Sequence, residues 1–234
     1  MLSGAWPFEA ALLLGSGSGE LWPVIALTFE VTGIALLISA ILGIPVGALI
    51  ALARFPGRRW AVALIYTGMG LPPVVVGLAV YLLLSRSGPL GDLGWLFTPA
   101  AMVVAQTVIA VPLVVGLTMT SIESLDPQLR LQVRALGADR SQEIRALLAE
   151  SRQGVVAAMV AGFGSIISEV GAAMLVGGNI QGQTRILSTA IVLETRQGEF
   201  GLALALGGVL LSLTFLVNAL LMRLQNRTPW WPGR

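Results

Sequence analysis

All fourteen basic side chains of this 234-residue chain are arginine, and it contains no lysine, histidine or cysteine. Imidazole and thiolate chemistry are therefore missing, together with disulfides and most transition-metal sites. A Walker-type phosphate loop needs its lysine at the β/γ-phosphates, so this chain cannot hydrolyse a nucleotide in that way. No residue is assigned as catalytic or as a metal ligand. Arginine, carboxylate, hydroxyl and amide groups remain, and they concentrate in two places. One is the polar stretch PQLRLQVRALGADRSQEIRALLAESR, from Pro127 to Arg152. The other runs from Ser165 and Glu169 through Gly177-Gly178-Asn179 to Thr184-Arg185.

The elements that must position these groups are apolar. Only 11% of the residues are charged, against roughly a quarter in soluble domains, and the mean hydropathy is +0.85. A bilayer core needs about 20 apolar residues per helix. Five stretches meet that length: Leu21–Ala53, Trp60–Leu84, Pro99–Ile122, Val155–Val176 and Gly201–Met222. None contains an arginine and none more than one acid. The expected fold is an all-α membrane protein of about five transmembrane helices. Residues 1–20 are expected as an external tail, 21–224 as the membrane domain and 225–234 as a second tail. Pro72-Pro73 and Pro112 should kink spans two and three.

Arginine placement orients these spans. Arg54, Arg58, Arg59, Arg130, Arg134, Arg140, Arg145, Arg152, Arg223, Arg227 and Arg234 fall on one side of a five-span chain, and only Arg86, Arg185 and Arg196 on the other. The positive-inside rule puts the larger set in the cytoplasm, the N-terminus outside and the C-terminus inside. The basic pI of 9.9 then has a membrane explanation, and no nucleic-acid partner is expected.

The polar stretch, residues 126–152, becomes a cytoplasmic loop with the pattern of a helix-turn-helix. Asp126-Pro127 supplies an N-cap acid and a first-position proline. Leu129, Val133 and Leu136 recur at helical spacing, while Arg130 and Arg134 share another face. Gly137 allows the turn. Asp139 caps the next helix with Gln142 as its reciprocal partner, and that helix runs through Ile144, Leu147 and Leu148. Such specified turn chemistry favours a docking element; a solvated linker or a polybasic patch on anionic lipid is the alternative.

In the outer region, Glu169 lies about two-thirds along the fourth span, where an ionisable group is costly and functional by default. Ser165 stands one turn before it, and Gly162 and Ala172 fall near the same face. A structural or gating network suits Glu169 better than direct contact with an anion; a position at the outer interface is the alternative. Gly177-Gly178-Asn179 should end the span. A short external helix should follow over Thr184–Thr195, capped by Thr184. Arg185 faces either an anion or acidic docking surface, or a salt bridge to Glu194 or Glu199.

The loop resembles the coupling motif of permease subunits of binding-protein-dependent ABC importers, in which Glu-Ala-Ala, three residues and Gly precede a second helix. Here Leu131, Gln132 and Val133 hold the Glu-Ala-Ala positions, Gly137 is the glycine, and Ala149-Glu150 replaces the terminal Leu-Pro. The run Ser168-Glu169-Val170-Gly171-Ala172-Ala173-Met174, Val176-Gly177-Gly178-Asn179-Ile180 and Thr184-Arg185 is similar to tungstate-importer permeases, and less closely to molybdate ones. Thr189–Thr195, Gly198-Glu199-Phe200, Gly88–Gly91, Leu96–Pro99 and Gln106 extend the likeness to about Leu27–Met222. The resemblance implies a type I importer permease working as a homodimer in a prokaryotic cytoplasmic membrane. A separate ATPase dimer, carrying ATP and Mg, would dock at Ala135, Leu136, Gly137, Ala138, Asp139, Arg140 and Ser141. An extracytoplasmic binding protein would deliver the oxyanion. Ser165, Glu169, Gly177, Gly178, Asn179, Thr184 and Arg185 become the translocation or gating set. A channel or secondary carrier would need no docking loop, an enzyme is disfavoured by the absence of histidine, cysteine and a clustered pair of intramembrane acids, and a scaffold leaves the Gly-Gly-Asn run unexplained.

Overall fold

The computed structural model describes residues 21–226, and every regular element among them is helical. In chain order they are α1 (Leu21–Leu52), α2 (Arg58–Met69), α3 (Pro73–Leu84), a 3-10 turn at Gly91–Leu93, α4 (Pro99–Glu123), α5 (Pro127–Ala135), α6 (Arg140–Glu150), α7 (Arg152–Ile167), α8 (Gly171–Gly177), α9 (Leu187–Gln197) and α10 (Phe200–Asn226). The tail expected over 1–20 and the end of the one expected over 225–234 lie outside the described residues.

By length and composition α1, α4 and α10 can each cross a membrane. The pairs α2 with α3, and α7 with α8, raise the number to five if each bent pair is one span. The second and fourth expected spans are therefore not single helices. Pro72 sets extended backbone at φ −62 and ψ 123, and Pro73 opens α3 at its first position, where its missing N–H costs nothing. Pro112, by contrast, stays inside the continuous α4, as Pro45 does inside α1.

The described residues divide into two compact units. Unit 1 comprises 21–35, 72–108 and 164–216; unit 2 comprises 36–71, 109–163 and 217–226. In unit 1, α3 packs along α8, with Gly77 so close that an added Cβ would lie 2.6 Å from Ala172 Cα. A second cluster there joins Leu187, Ala190 and Leu206 to Leu21, Val24 and Leu202. In unit 2, Ala48, Ile122 and Leu147 form the centre of a cluster that Leu129, Ile144 and Leu148 complete. Leu211, Phe215 and Leu216 on α10 remain exposed, an apolar surface that suits a lipid surrounding rather than water.

Candidate functional site

The hairpin of α5 and α6 lies wholly in unit 2. The Asp126 side chain accepts the Gln128 N–H at 2.8 Å with Pro127 behind it, which satisfies one of the free donors of a helix start. At the other end Gly137 takes φ +81, and its N–H donates to the Arg134 carbonyl at 2.9 Å while Ala138 N–H reaches Val133 O at 3.4 Å. An added Cβ at Gly137 would meet nothing within 4 Å. Glycine is needed for the backbone angle, not for space. Asp139 and Gln142 then exchange 2.8 Å bonds between side chain and backbone, forming the expected capping box.

Leu136 departs from its expected place. Helix α5 stops at Ala135, so the i, i+3 spacing no longer carries Leu136 onto the packed face; it is the C-cap and stands 88% exposed. Leu129 packs in the cluster, and Leu131 projects on the exposed side. The inner face is held by Glu143, which is only 5% exposed. It accepts Arg130 Nε at 2.5 Å and Arg134 Nε at 3.1 Å. Burial alone would raise this carboxyl; the two hydrogen bonds and the two positive charges outweigh it and hold the carboxyl below the ordinary 4.5. Arg130 also donates through Nη2 to the Leu52 carbonyl at 3.0 Å, occupying an orphan acceptor in the last turn of α1. Nearby, Arg58 pairs with Glu123 and donates to Ile50 O.

The second group lies around the α7–α8 break in unit 1. Glu169 is not within a helix, because α7 ends at Ile167 and α8 begins at Gly171. Its buried carboxylate accepts the Ala172 N–H at 2.9 Å, and its carbonyl accepts the Ser188 hydroxyl at 2.9 Å. A carboxylate at a helix start satisfies a free donor and meets the positive end of the helix dipole. The break abolishes the expected stripe through Gly162, Ser165, Glu169 and Ala172, since that register needs one continuous helix. Ser165 is half-buried on α7. Gln106, 1% exposed, donates to the Ile166 carbonyl at 3.3 Å, and its own amide oxygen has no partner.

The Gly-Gly-Asn run ends α8 as expected. Gly178 is the C-cap at φ +74 and Asn179 follows at φ +51. The glycines also allow close approach: a Cβ on Gly177 would sit 2.8 Å from Met102 Sδ, and one on Gly178 3.0 Å from the Phe97 ring. Phe97 itself holds φ +62, uncommon for a bulky residue. Its N–H is fixed to Val176 O at 2.8 Å and its ring packs edge-on against Tyr81. Thr184 does not cap the following helix, which starts at Leu187. Its hydroxyl donates to Gly177 O at 2.5 Å and accepts Ile180 N–H at 2.9 Å, closing the 177–184 loop on itself. Thr189 accepts the Ile186 N–H in the capping role, and Thr28 accepts the Leu187 N–H.

Arg185 is half-buried beside a cavity of about 590 Å³ that Glu30, Glu194, Gln181, Gln183 and Leu206 also line. Its Nε has no partner, and neither Glu194 nor Glu199 pairs with it among the described residues. The salt-bridge alternative is thus not what the structure contains. Glu30 is the residue the sequence reading passed over. Its signal was there: one acid within 32 otherwise uncharged residues of α1.

The family described as binding-protein-dependent transport system inner membrane component matches residues 43–228. The chain belongs to this family. The permease is 41% identical to a probable anion ABC transporter permease protein of Haloferax volcanii, over 90% of this chain and 93% of that one. It is 37% identical to the tungstate uptake system permease protein TupB of Peptoclostridium acidaminophilum, over 94% and 96%. The molybdenum transport system permease protein ModB of Escherichia coli is 29% identical, over 78% and 84%. Among solved structures, a bacterial ABC transporter for import of the polysaccharide alginate superposes with a TM-score of 0.73 at 22% identity, covering 92% of this chain and 83% of that one. The inward-facing methionine transporter MetNI gives 0.71 at 21%, covering 90% and 100%. The permease therefore has the type I importer fold and is a multi-pass inner-membrane protein whose relatives are transport subunits. The family implies an ATPase and a substrate-binding protein as partners.

Proposed function

We propose that this permease carries tungstate inward, as a homodimer, driven by a separate ATPase dimer and supplied by an extracytoplasmic binding protein. The observation that carries the reading is 37% identity to a tungstate uptake permease across 94% of the chain; a second such permease, from Campylobacter jejuni, is 35% identical over 74%. Molybdate is the second reading, favoured by the ModB likeness. The ATPase would seat on the exposed turn from Leu136 to Ser141, since Leu136 is an apolar side chain with no packing partner of its own chain to leave. The excess of arginines on one side of the expected spans supports the arginine-rich hairpin inside, with Arg185 and the Gly-Gly-Asn loop outside. Glu169 serves as a helix-start anchor within the gate, and Arg185 as the electropositive group nearest the entering anion or its carrier.

The test is cellular tungsten and molybdenum content, with and without the gene, at equal trace supply of both oxyanions. Selective loss of tungsten is expected. Loss of molybdenum alone would replace tungstate by molybdate, and no change in either metal would refute oxyanion import.

A further inference from the structure

Unit 2 contains a second cavity, of about 900 Å³, between the end of α1 and the inner side of the hairpin. Four guanidinium groups line it, from Arg54, Arg130, Arg134 and Arg140, against one carboxylate, Glu143. Glu143 is already shared by Arg130 and Arg134. Arg54 and Arg140 have no hydrogen-bonding or ionic partner among the described residues. The excess positive charge therefore lines a half-open space, and its two free forks belong to the exposed Arg54 and Arg140. Planar guanidinium forks match the oxygens of a phosphate group, and each such bond is charge-assisted.

We propose that this cavity binds a phosphate group carrying a small polar substituent. Its volume exceeds what a bare phosphate needs and falls within the range of small-ligand sites. Leu52 ends a helix long and apolar enough to cross a membrane and Ala53 and Arg54 follow it, a position that suits the level of phospholipid headgroups. Ile144, and Leu131 although it is 66% exposed, are apolar lining residues beside the arginines. An anionic headgroup such as phosphatidylglycerol and a soluble phosphate ester share this chemistry. Occupation would add a counter-charge between the end of α1 and the hairpin. The inference rests on α1 as a membrane span, shares Ala138 and Arg140 with the turn proposed for the ATPase, and is independent of which oxyanion is carried.

The experiment uses the full-length chain in detergent and follows thermal unfolding by tryptophan fluorescence. One arm adds short-chain phosphatidylglycerol, with zwitterionic phosphatidylcholine as the comparison of zero net charge; the other adds inorganic phosphate against chloride at equal ionic strength. Wild type is compared with Arg54→Gln/Arg140→Gln and with Arg59→Gln/Arg145→Gln, which removes the same charge from residues outside the cavity. At a hundredfold excess over Kd the wild-type Tm should rise by about 5–10 °C. The outer pair should retain that rise and the cavity pair should lose most of it. Response to phosphatidylglycerol alone assigns the site to lipid; response to phosphate assigns it to a soluble group. No response to either, or equal responses in all three proteins, overturns the proposal. A cavity pair that does not fold is replaced by Arg54→Gln alone, whose side chain has no hydrogen-bonding or ionic partner among the described residues.

Discussion

Replacing Gly137 by asparagine, alanine and valine distinguishes a backbone requirement from a requirement for space at the ATPase. The residue sits at φ +81, and a Cβ there would touch nothing within 4 Å. The whole cost of alanine in the isolated chain is therefore the left-handed backbone, about 1–2 kcal/mol. Valine, branched at Cβ, should cost more, and asparagine, which visits this region readily, less. One to two kcal/mol is a factor of about 5–30 in an opening equilibrium. Hydrogen exchange at Leu136, Gly137 and Ala138, whose amides close the turn onto Gln132, Arg134 and Val133, should quicken by that factor in the alanine variant. Oxyanion uptake should fall in the order glycine, asparagine, alanine, valine, with membrane expression unchanged. If asparagine impairs uptake more than alanine while exchange follows the backbone order, side-chain size at the docked face governs, and the backbone explanation is wrong. Unchanged exchange in the alanine variant would refute it directly.

Glu143→Gln removes the charge shared by Arg130 and Arg134. A hydrogen bond to a charged group contributes about 1.5–3 kcal/mol, but both arginines are partly exposed and screening reduces the pair. A loss of about 1–3 kcal/mol in hairpin stability is expected, read as faster exchange across α5 and α6; no change would mean the arginines find other acceptors. Because the folded carboxyl lies below its ordinary value, its contribution is complete above about pH 4.5 and is lost as pH falls through the depressed folded value. Wild-type hairpin exchange should show that acid-side loss, and the glutamine variant should not. Thr184→Val leaves the buried Gly177 carbonyl and Ile180 N–H unpaired at about 1–3 kcal/mol, whereas Thr184→Ser retains the hydroxyl. Protease sensitivity of the 177–184 loop should rise in the first variant only, and equal sensitivity in both would show that the methyl group matters instead.

The ends of the hairpin helices were legible because their causes are local. Asp126, Asp139 and Gln142 cap residues two or three positions away, and Gly137 needs its angle whatever surrounds it. The break after Met69 was legible in part, since Pro72-Pro73 announced an interruption but not its extent. The break at Ser168–Val170 carries no proline. It is held by the Glu169 carboxylate turning onto Ala172 and by Ser188, nineteen residues later, and hydrophobicity runs straight through it. Periodicity misplaced Leu136 by continuing one residue past the helix. Thr184 had the right chemistry for a cap, but its acceptor is the carbonyl of Gly177, across a loop with three positive-φ residues, Gly178, Asn179 and Gly182.

One guanidinium gives the hairpin its mechanical character. Arg130 grips Glu143 on α6 and the terminal carbonyl of Leu52 on α1 at once, so three helices meet on a single planar group. If the proposed ATPase seats on the exposed turn, a push there would reach the end of α1 through this one contact, and a water molecule inserted into it would soften the stroke.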